Sequence, residues 1–172
     1  MTIITFDGSP VGGGATIQLA VPLLGGRCQH PIEFYLATVW IAADEALLKA
    51  QIGDTGSQAK REAFSLLLAV ATWLPILSSA ESQLAFCGDA LGVLADALRF
   101  RAKEPVLNKI LAELALCIAP FGFATSTVHI WSAHNATCDG SSRTAHGSSV
   151  PSALSSAIRS RDKRPQWSVL HG

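Results

Sequence analysis

The chain has 172 residues, 13 Lys/Arg against 13 Asp/Glu, with 49% of residues apolar and 15% charged. That length fits one domain with a substantial core, and the apolar content excludes a chain disordered throughout. The longest apolar run, Phe64 to Leu77, is too short for a membrane span and contains Pro75, so it reads as a buried helix and no membrane partner is expected.

Zero net charge hides an asymmetry. Residues 1–142 hold 8 Lys/Arg and 12 Asp/Glu, whereas residues 143–172 hold 5 and 1. The acidic body suits cations, and the basic end could reach polyanions. Four cysteines, Cys28, Cys87, Cys117 and Cys138, form no Cys-x-x-Cys pair and follow no signal peptide. An intracellular, reducing compartment is the expectation.

In chain order, Thr2–Phe6 is rich in β-branched and aromatic residues and predicts a strand. The glycines of 8–14 predict a turn, Ala15–Val21 its hairpin partner, Pro22–Pro31 a loop, and Ile32–Ile41 a third strand. A short helix over Ala43–Lys49 ends before the breaker Gly53–Ser57. From Gln58 the period becomes helical, with Ala63, Leu66, Leu67, Val70, Leu74 and Leu77 on one stripe, and Ser78–Ser82 ends that helix. Leu84–Cys87 is a short buried strand. Leu91–Arg101 and Val106–Ala119 are helices, Pro105 suiting the first turn of the second, and Thr125–Trp131 is the fifth strand. Beyond Arg143 the composition turns to Ser, Ala, Gly, Pro and basic residues. Residues 1–143 are therefore expected as the domain and 144–172 as a flexible Ser/Ala-rich basic tail, with at most a weak helix near Pro151–Arg159.

Four acids stand at element ends: Asp7 after the first strand, Glu62 in the first turns of the long helix, Asp89 after Cys87-Gly88, and Asp139 after the last strand. Singly, each has a plainer role: a turn residue, a dipole partner, an N-cap, or another cap or turn. Jointly, such an oxygen cluster suits hard divalent cations and phosphoryl transfer. Asp44, Glu45, Asp54, Asp96, Glu104 and Glu113 have no motif around them and are expected on solvated faces. Gly12-Gly13-Gly14 lacks the Gly-Lys-Ser/Thr of a phosphate loop. Cys138, His134 and His146 have no second nearby cysteine to complete a zinc set.

The strand and helix order, with Phe6-Asp7-Gly8-Ser9, Arg61-Glu62-Ala63, Phe86-Cys87-Gly88-Asp89 and Asn135-Ala136-Thr137-Cys138-Asp139-Gly140-Ser141-Ser142-Arg143 in succession, resembles the ribonuclease H domain. The likeness spans about residues 2–143 and is greatest to the domains in retroelement reverse transcriptase polyproteins. It implies an α/β, ribonuclease H-like fold with a five-stranded mixed sheet, three antiparallel strands then two parallel, covered by helices. It also implies an endonuclease that cleaves the RNA strand of RNA–DNA hybrids in retroelement reverse transcription. Asp7, Glu62, Asp89 and Asp139 would be catalytic and would hold two Mg²⁺ ions, for which Mn²⁺ can substitute, with Asp7 bridging both. Two such ions roughly 4 Å apart activate water and stabilise the leaving oxygen. His129 and His134 are the implied general acid/base candidates. His129 has the suitable interval but falls within the last strand, and His134 lies in the loop after it, which favours His134, although a plain surface histidine is the commoner reading of such a residue. Gly8, Ser9, Gly12, Gly13 and Asn135 are implied hybrid contacts. Partners would be the hybrid and an adjacent reverse transcriptase domain. Retroelement members commonly carry Asn after the second Asp, and here it is Ala90. That departure motivates the alternative, a catalytically impaired module that binds hybrid or a protein. A nuclease for DNA strands on the same fold is a third reading, disfavoured by Glu in second place.

Overall fold

The computed structural model describes residues 1–19, 21–22, 28–29, 31–77, 83–144 and 147–164. The expected helix end at Ser78–Ser82, most of the Pro22–Pro31 loop, and His146 lie outside the described residues. So does Ala20, towards the end of the second expected strand.

Ile4 and Phe6 of β1 (Thr2–Gly8) point to one face and are fully buried, which fixes the period-two strand predicted from their β-branched and aromatic run. The chain returns through β2 (Gly12–Gln18), antiparallel to β1, and β3 (Ile32–Val39), antiparallel to β2. After α1 (Ala42–Leu48), the 20-residue α2 (Gln58–Leu77) lies over this sheet. Its stripe of Leu66, Leu67, Val70 and Trp73 meets Ile4, Phe6, Ile17 and Leu36 in one core. β4 (Gln83–Gly88) then pairs parallel with β1. α3 (Leu91–Arg99), α4 (Pro105–Ile118), β5 (Ala124–His129) and α5 (Ala136–Arg143) follow. β5 is parallel to β4.

The predicted five strands are present, and the sheet has a sixth. β6 (Ile158–Ser160) lies within the segment expected as tail and pairs parallel with the outer edge of β3, giving the order β5-β4-β1-β2-β3-β6. Two observations explain its place. Leu154 is buried against Tyr35 and Ala37 on the face of β3 away from α2, and the Ser160 hydroxyl accepts from Trp73 Nε1 at 2.8 Å on the other face. The weak helix expected near Pro151–Arg159 is a single 3-10 turn, Ser152–Leu154.

Three acids expected on solvated faces have structural roles. Asp44 is 2% exposed; its Oδ2 accepts from Ile41 N at 2.9 Å, and its Oδ1 pairs with Arg164. Glu113 is buried on α4. Glu104 is the N-cap of α4, accepting from Leu107 N. The Glu104 cap is local and the residue stays exposed, whereas the burial of Asp44 against Arg164 and of Glu113 depends on packing that local sequence does not show.

Close approach of backbones sets the site end of the sheet. A Cβ on Gly8 would stand 2.5 Å from the backbone of Arg61 and Glu62, so glycine there lets α2 descend onto the end of β1. A Cβ on Gly14 would collide with Cys138 O and Ser141 Oγ, so glycine there lets α5 lie on the opposite face. Asp7 thereby emerges between two helices.

Candidate active site

Asp7, Glu62, Asp89 and Asp139 all line one cleft of about 430 Å³ at the carboxyl ends of β1 and β4, together with Gly8 and Ser9. β1 and β4 are adjacent parallel strands, which puts Asp7 and Asp89 side by side. Glu62 comes down from α2, and Asp139 comes from α5 on the other face.

Each carboxylate is held by one neighbouring side chain. Ser142 Oγ donates to Asp7 Oδ2 at 3.1 Å, and Gln58 Nε2 donates to Glu62 Oε1 at 3.1 Å. Asn135 Nδ2 donates to Asp89 Oδ1 at 3.3 Å, and also to Phe6 O at 3.1 Å. Arg143 donates to Asp139 Oδ1 through Nε at 2.9 Å and Nη2 at 2.6 Å. Gln58 additionally hydrogen-bonds Gly8 O, tying the helix start to the end of β1.

Burial pushes the Asp7 carboxyl up to about 6, opposed by the Ser142 hydrogen bond and aided by the charges of Asp139 and Asp89. Burial likewise pushes Glu62 up to about 7, opposed by Gln58 and aided by Asp7 and Asp89. Without a counter-ion Glu62 is therefore about half protonated at neutrality, whereas Asp7 is mostly ionised there and takes up its proton only as pH falls toward 6. The Asp139 carboxylate, for its part, holds the Arg143 guanidinium above its usual range.

The donor chemistry, four carboxylates and no sulfur, fits a hard divalent ion. With the side chains in these positions, no three His, Cys, Asp or Glu among the described residues stand close enough to hold one. Each of the four carboxylates is instead engaged by a neighbouring side chain.

The other sequence-predicted residues divide. Ser9 lines the cleft, but its hydroxyl is already spent on Gly12 O at 3.0 Å and Ser142 O at 3.2 Å. Gly12 and Gly13 are buried and are not among the cleft residues, since they serve packing against Ser142 and Ser65. Asn135 is buried beneath the cleft, 2% exposed, where it positions Asp89; its Oδ1 has no hydrogen-bond partner. His134 is exposed on the 3-10 turn Ser132–His134 and does not line the cleft. His129, at the end of β5, does not line it either, but its Nε2 is 3.2 Å from the backbone carbonyl of Asp89. Asp89 is not the N-cap of α3, because Ala90 occupies that place with no capping side chain. Asp139 lies within α5 instead of capping it. Gln58, Ser142 and Arg143 went unassigned from sequence. The four-residue spacings Gln58–Glu62 and Asp139–Arg143 were the available signals.

This topology and cleft define the ribonuclease H fold, and solved structures agree. The sequence matches no family model and no curated protein. The chain is similar in structure to LC11-RNase H1, isolated from compost by a metagenomic approach: 18% identity, TM-score 0.52, 90% of this chain and 98% of that one. The same enzyme crystallised with an RNA/DNA hybrid gives 15% identity and TM-score 0.52 over 81% of this chain and 91% of that one. The N-terminal RNase H domain of rv2228c from Mycobacterium tuberculosis, solved as a fusion with maltose-binding protein, gives 14% and 0.55 over 80% and 92%.

Proposed function

We propose that the chain is a divalent-metal-dependent endonuclease that hydrolyses the RNA strand of RNA–DNA hybrids, of the type that serves reverse transcription in retroelements. One observation carries the reading: four carboxylates from two strands and two helices of opposite faces meet in one cleft on a ribonuclease H fold. The structural likeness to an enzyme crystallised with an RNA/DNA hybrid supports the substrate class. The closing Asn135…Asp139…Arg143 motif supports the retroelement type, with an adjacent reverse transcriptase domain as partner.

Asp7, Glu62, Asp89 and Asp139 would hold two Mg²⁺ ions, whose chemistry there is activation of water and stabilisation of the leaving 3′ oxygen. The chain's own part is positioning. Ser142 and Asn135 orient Asp7 and Asp89, and Gln58 aims Glu62. Burial keeps Glu62 about half protonated at neutrality and Asp7 mostly ionised, so holding a cation would draw the remaining protons mainly from Glu62. Arg143 must release Asp139. Once released, its guanidinium can reach a backbone phosphate. His129 and His134 both lie outside the cleft lining, and of Asp89 His129 touches only the backbone carbonyl.

The alternative, a module that binds hybrid without cleaving it, draws on Ala90 and on the tethered carboxylates. One comparison separates the two: an end-labelled hybrid, duplex RNA and duplex DNA, each with Mg²⁺ and with chelator. Mg²⁺-dependent cleavage of the RNA strand in the hybrid alone supports the enzyme. Tight hybrid binding with no cleavage in Mg²⁺ or Mn²⁺ supports the module, and cleavage of DNA strands overturns the substrate class.

A further inference from the structure

The register of the sheet carries the row that contains Asp7 out to its far edge. Asp7 pairs with Gly14, and Gly14 pairs with Ala37. β6 pairs Tyr35 with Arg159 and Leu36 with Ser160, so the next residue, Arg161, stands beside Ala37. Residues directly opposite one another share a face, so Arg161 extends the Asp7 row. Three strand steps separate them, about 14 Å. Because β6 is parallel to β3, the residues after Ser160 run toward the same end of the sheet as the cleft.

The charges of this segment are sorted. Asp162 is turned inward, accepting from Thr38 Oγ1 at 3.0 Å, and Arg164 is committed to buried Asp44. Arg159, Arg161 and Lys163 are exposed, and among the described residues no carboxylate pairs with any of the three. Arg159 and Arg161 rim a shallow depression of about 280 Å³ floored by Ala37. The cleft itself is acidic and repels a polyanion until cations fill it. Apart from Arg143, which lines it, the cationic groups that hold the substrate therefore lie outside it.

We propose that the β6 edge, through Arg161 and Lys163 with Arg159 beside them, is a second docking point for the backbone phosphates of the nucleic-acid substrate. It takes phosphates about four nucleotides from the one in the cleft, counting about 3.4 Å of axial rise per nucleotide of a strand. The proposal rests on the hybrid reading of the cleft. It assigns the basic segment a place in substrate binding and gives the sixth strand a function. Such docking reads charge, not sequence, so it adds affinity and salt dependence without base preference.

The test measures fluorescence anisotropy of a labelled hybrid bound to the cleavage-blocked Asp7→Asn protein, with and without Arg161→Ala/Lys163→Ala, between 50 and about 200 mM salt. Circular dichroism and thermal melting establish that both proteins are folded. The expected result with a hybrid of about 18 base pairs is affinity at least about five-fold weaker, and a log–log salt slope shallower by about 2, one for each phosphate no longer neutralised. A hybrid of about four base pairs, about 10 Å between its end phosphates at about 3.4 Å per nucleotide, reaches the cleft but not the edge, and should bind both proteins alike. Duplex DNA should lose affinity by the same factor as the long hybrid. Unchanged affinity and slope with the long hybrid overturn the proposal and leave β6 charges as guards against edge-to-edge pairing. Equal weakening of short and long hybrids also overturns it, because the effect would then not depend on reach. If the wild-type chain neither binds nor cleaves hybrid, the cleft reading falls and this one falls with it. If it cleaves normally and the double variant binds as tightly as its parent, the edge docking point alone is overturned and the cleft reading stands.

Discussion

In the proposed reading, Asp7 joins the chemistry to a stability cost in one side chain. Its carboxyl sits at about 6 in the folded protein against 3.8 as the ordinary value, so the folded state holds the proton more tightly than the unfolded state. Below about pH 4 both states are protonated and there is no cost. As pH rises from about 4 to 6 the unfolded chain ionises first, and the metal-free fold loses stability. Glu62, raised from 4.5 to about 7, acts in the same direction up to neutrality. The full cost at Asp7 is about 2–3 kcal/mol, at about 1.4 kcal/mol per unit. Asp7→Asn should therefore abolish hybrid cleavage and, in chelator at pH 7, raise unfolding free energy by roughly 2 kcal/mol, while flattening its fall between pH 4 and 6. Urea titrations at a series of pH values read both. A variant that cleaves, or one less stable than wild type in chelator at pH 7, contradicts the assignment. Arg143 poses the opposite case. Its fork on Asp139 is exposed, 55% and 45% at the two side chains, so the pair is weak and a divalent ion can displace it. Arg143→Ala should tighten Mg²⁺ binding about two- to five-fold by calorimetry, the equivalent of an exposed ion pair. In the Asp139→Asn background the same substitution should change little.

Among elements, the junction of β5 and α5 is held at a single residue. Asn135 begins α5, and its amide bridges Phe6 O of β1 and Asp89 after β4. Asn135→Ala leaves a buried carbonyl and a carboxylate without their donor, which costs about 1–3 kcal/mol. Cleavage should fall further than stability does, because α5 also carries Asp139 and Ser142. Parallel thermal melts and initial rates check this, and a loss of rate that simply tracks unfolding contradicts the positioning role. The α5 tie was partly legible, since Asn135 and Asp139 stand together in the closing motif. The helices were legible because α2, α3 and α4 each carry an apolar stripe at helical period. β1 was legible because β-branched and aromatic residues alternate across a sheet with both faces covered. β6 was not. Ile158-Arg159-Ser160 is three residues long, with Ile158 exposed, and its place depends on Trp73 and Leu154. The tethers of Asp7 and Asp89 were hidden for the same reason, Ser142 being 135 positions from Asp7 and Asn135 46 from Asp89, whereas those of Glu62 and Asp139 are four residues away.

For the whole molecule, the consequence of the sixth strand is that residues 147–164 belong to the folded body as much as to its basic end. Arg164 reaches back to Asp44 in α1, hydrogen-bonds Val39 O, and closes the far edge of the sheet. Asp44 is 4% exposed at its side chain, and burial already raises its carboxyl. Removing the guanidinium leaves a buried charge that neither water nor Ile41 N can fully stabilise. Breaking a fully buried pair costs about 3–5 kcal/mol. Arg164 is 29% exposed, so partial screening lowers the cost of Arg164→Ala to roughly 1–3 kcal/mol. The Asp44→Asn, Arg164→Ala double variant removes the stranded charge and should recover part of that loss. Ending the chain at residue 157 removes more: the β3 edge loses its partner strand, and Trp73 Nε1 loses its acceptor. That truncation should unfold at clearly lower urea than Arg164→Ala and should self-associate through the bared β3 edge, which sedimentation at rising concentration would show. A truncated chain as stable and as monodisperse as the full one would return residues 158–164 to the status of a tail, and with it the reason for finding cationic side chains in register with Asp7.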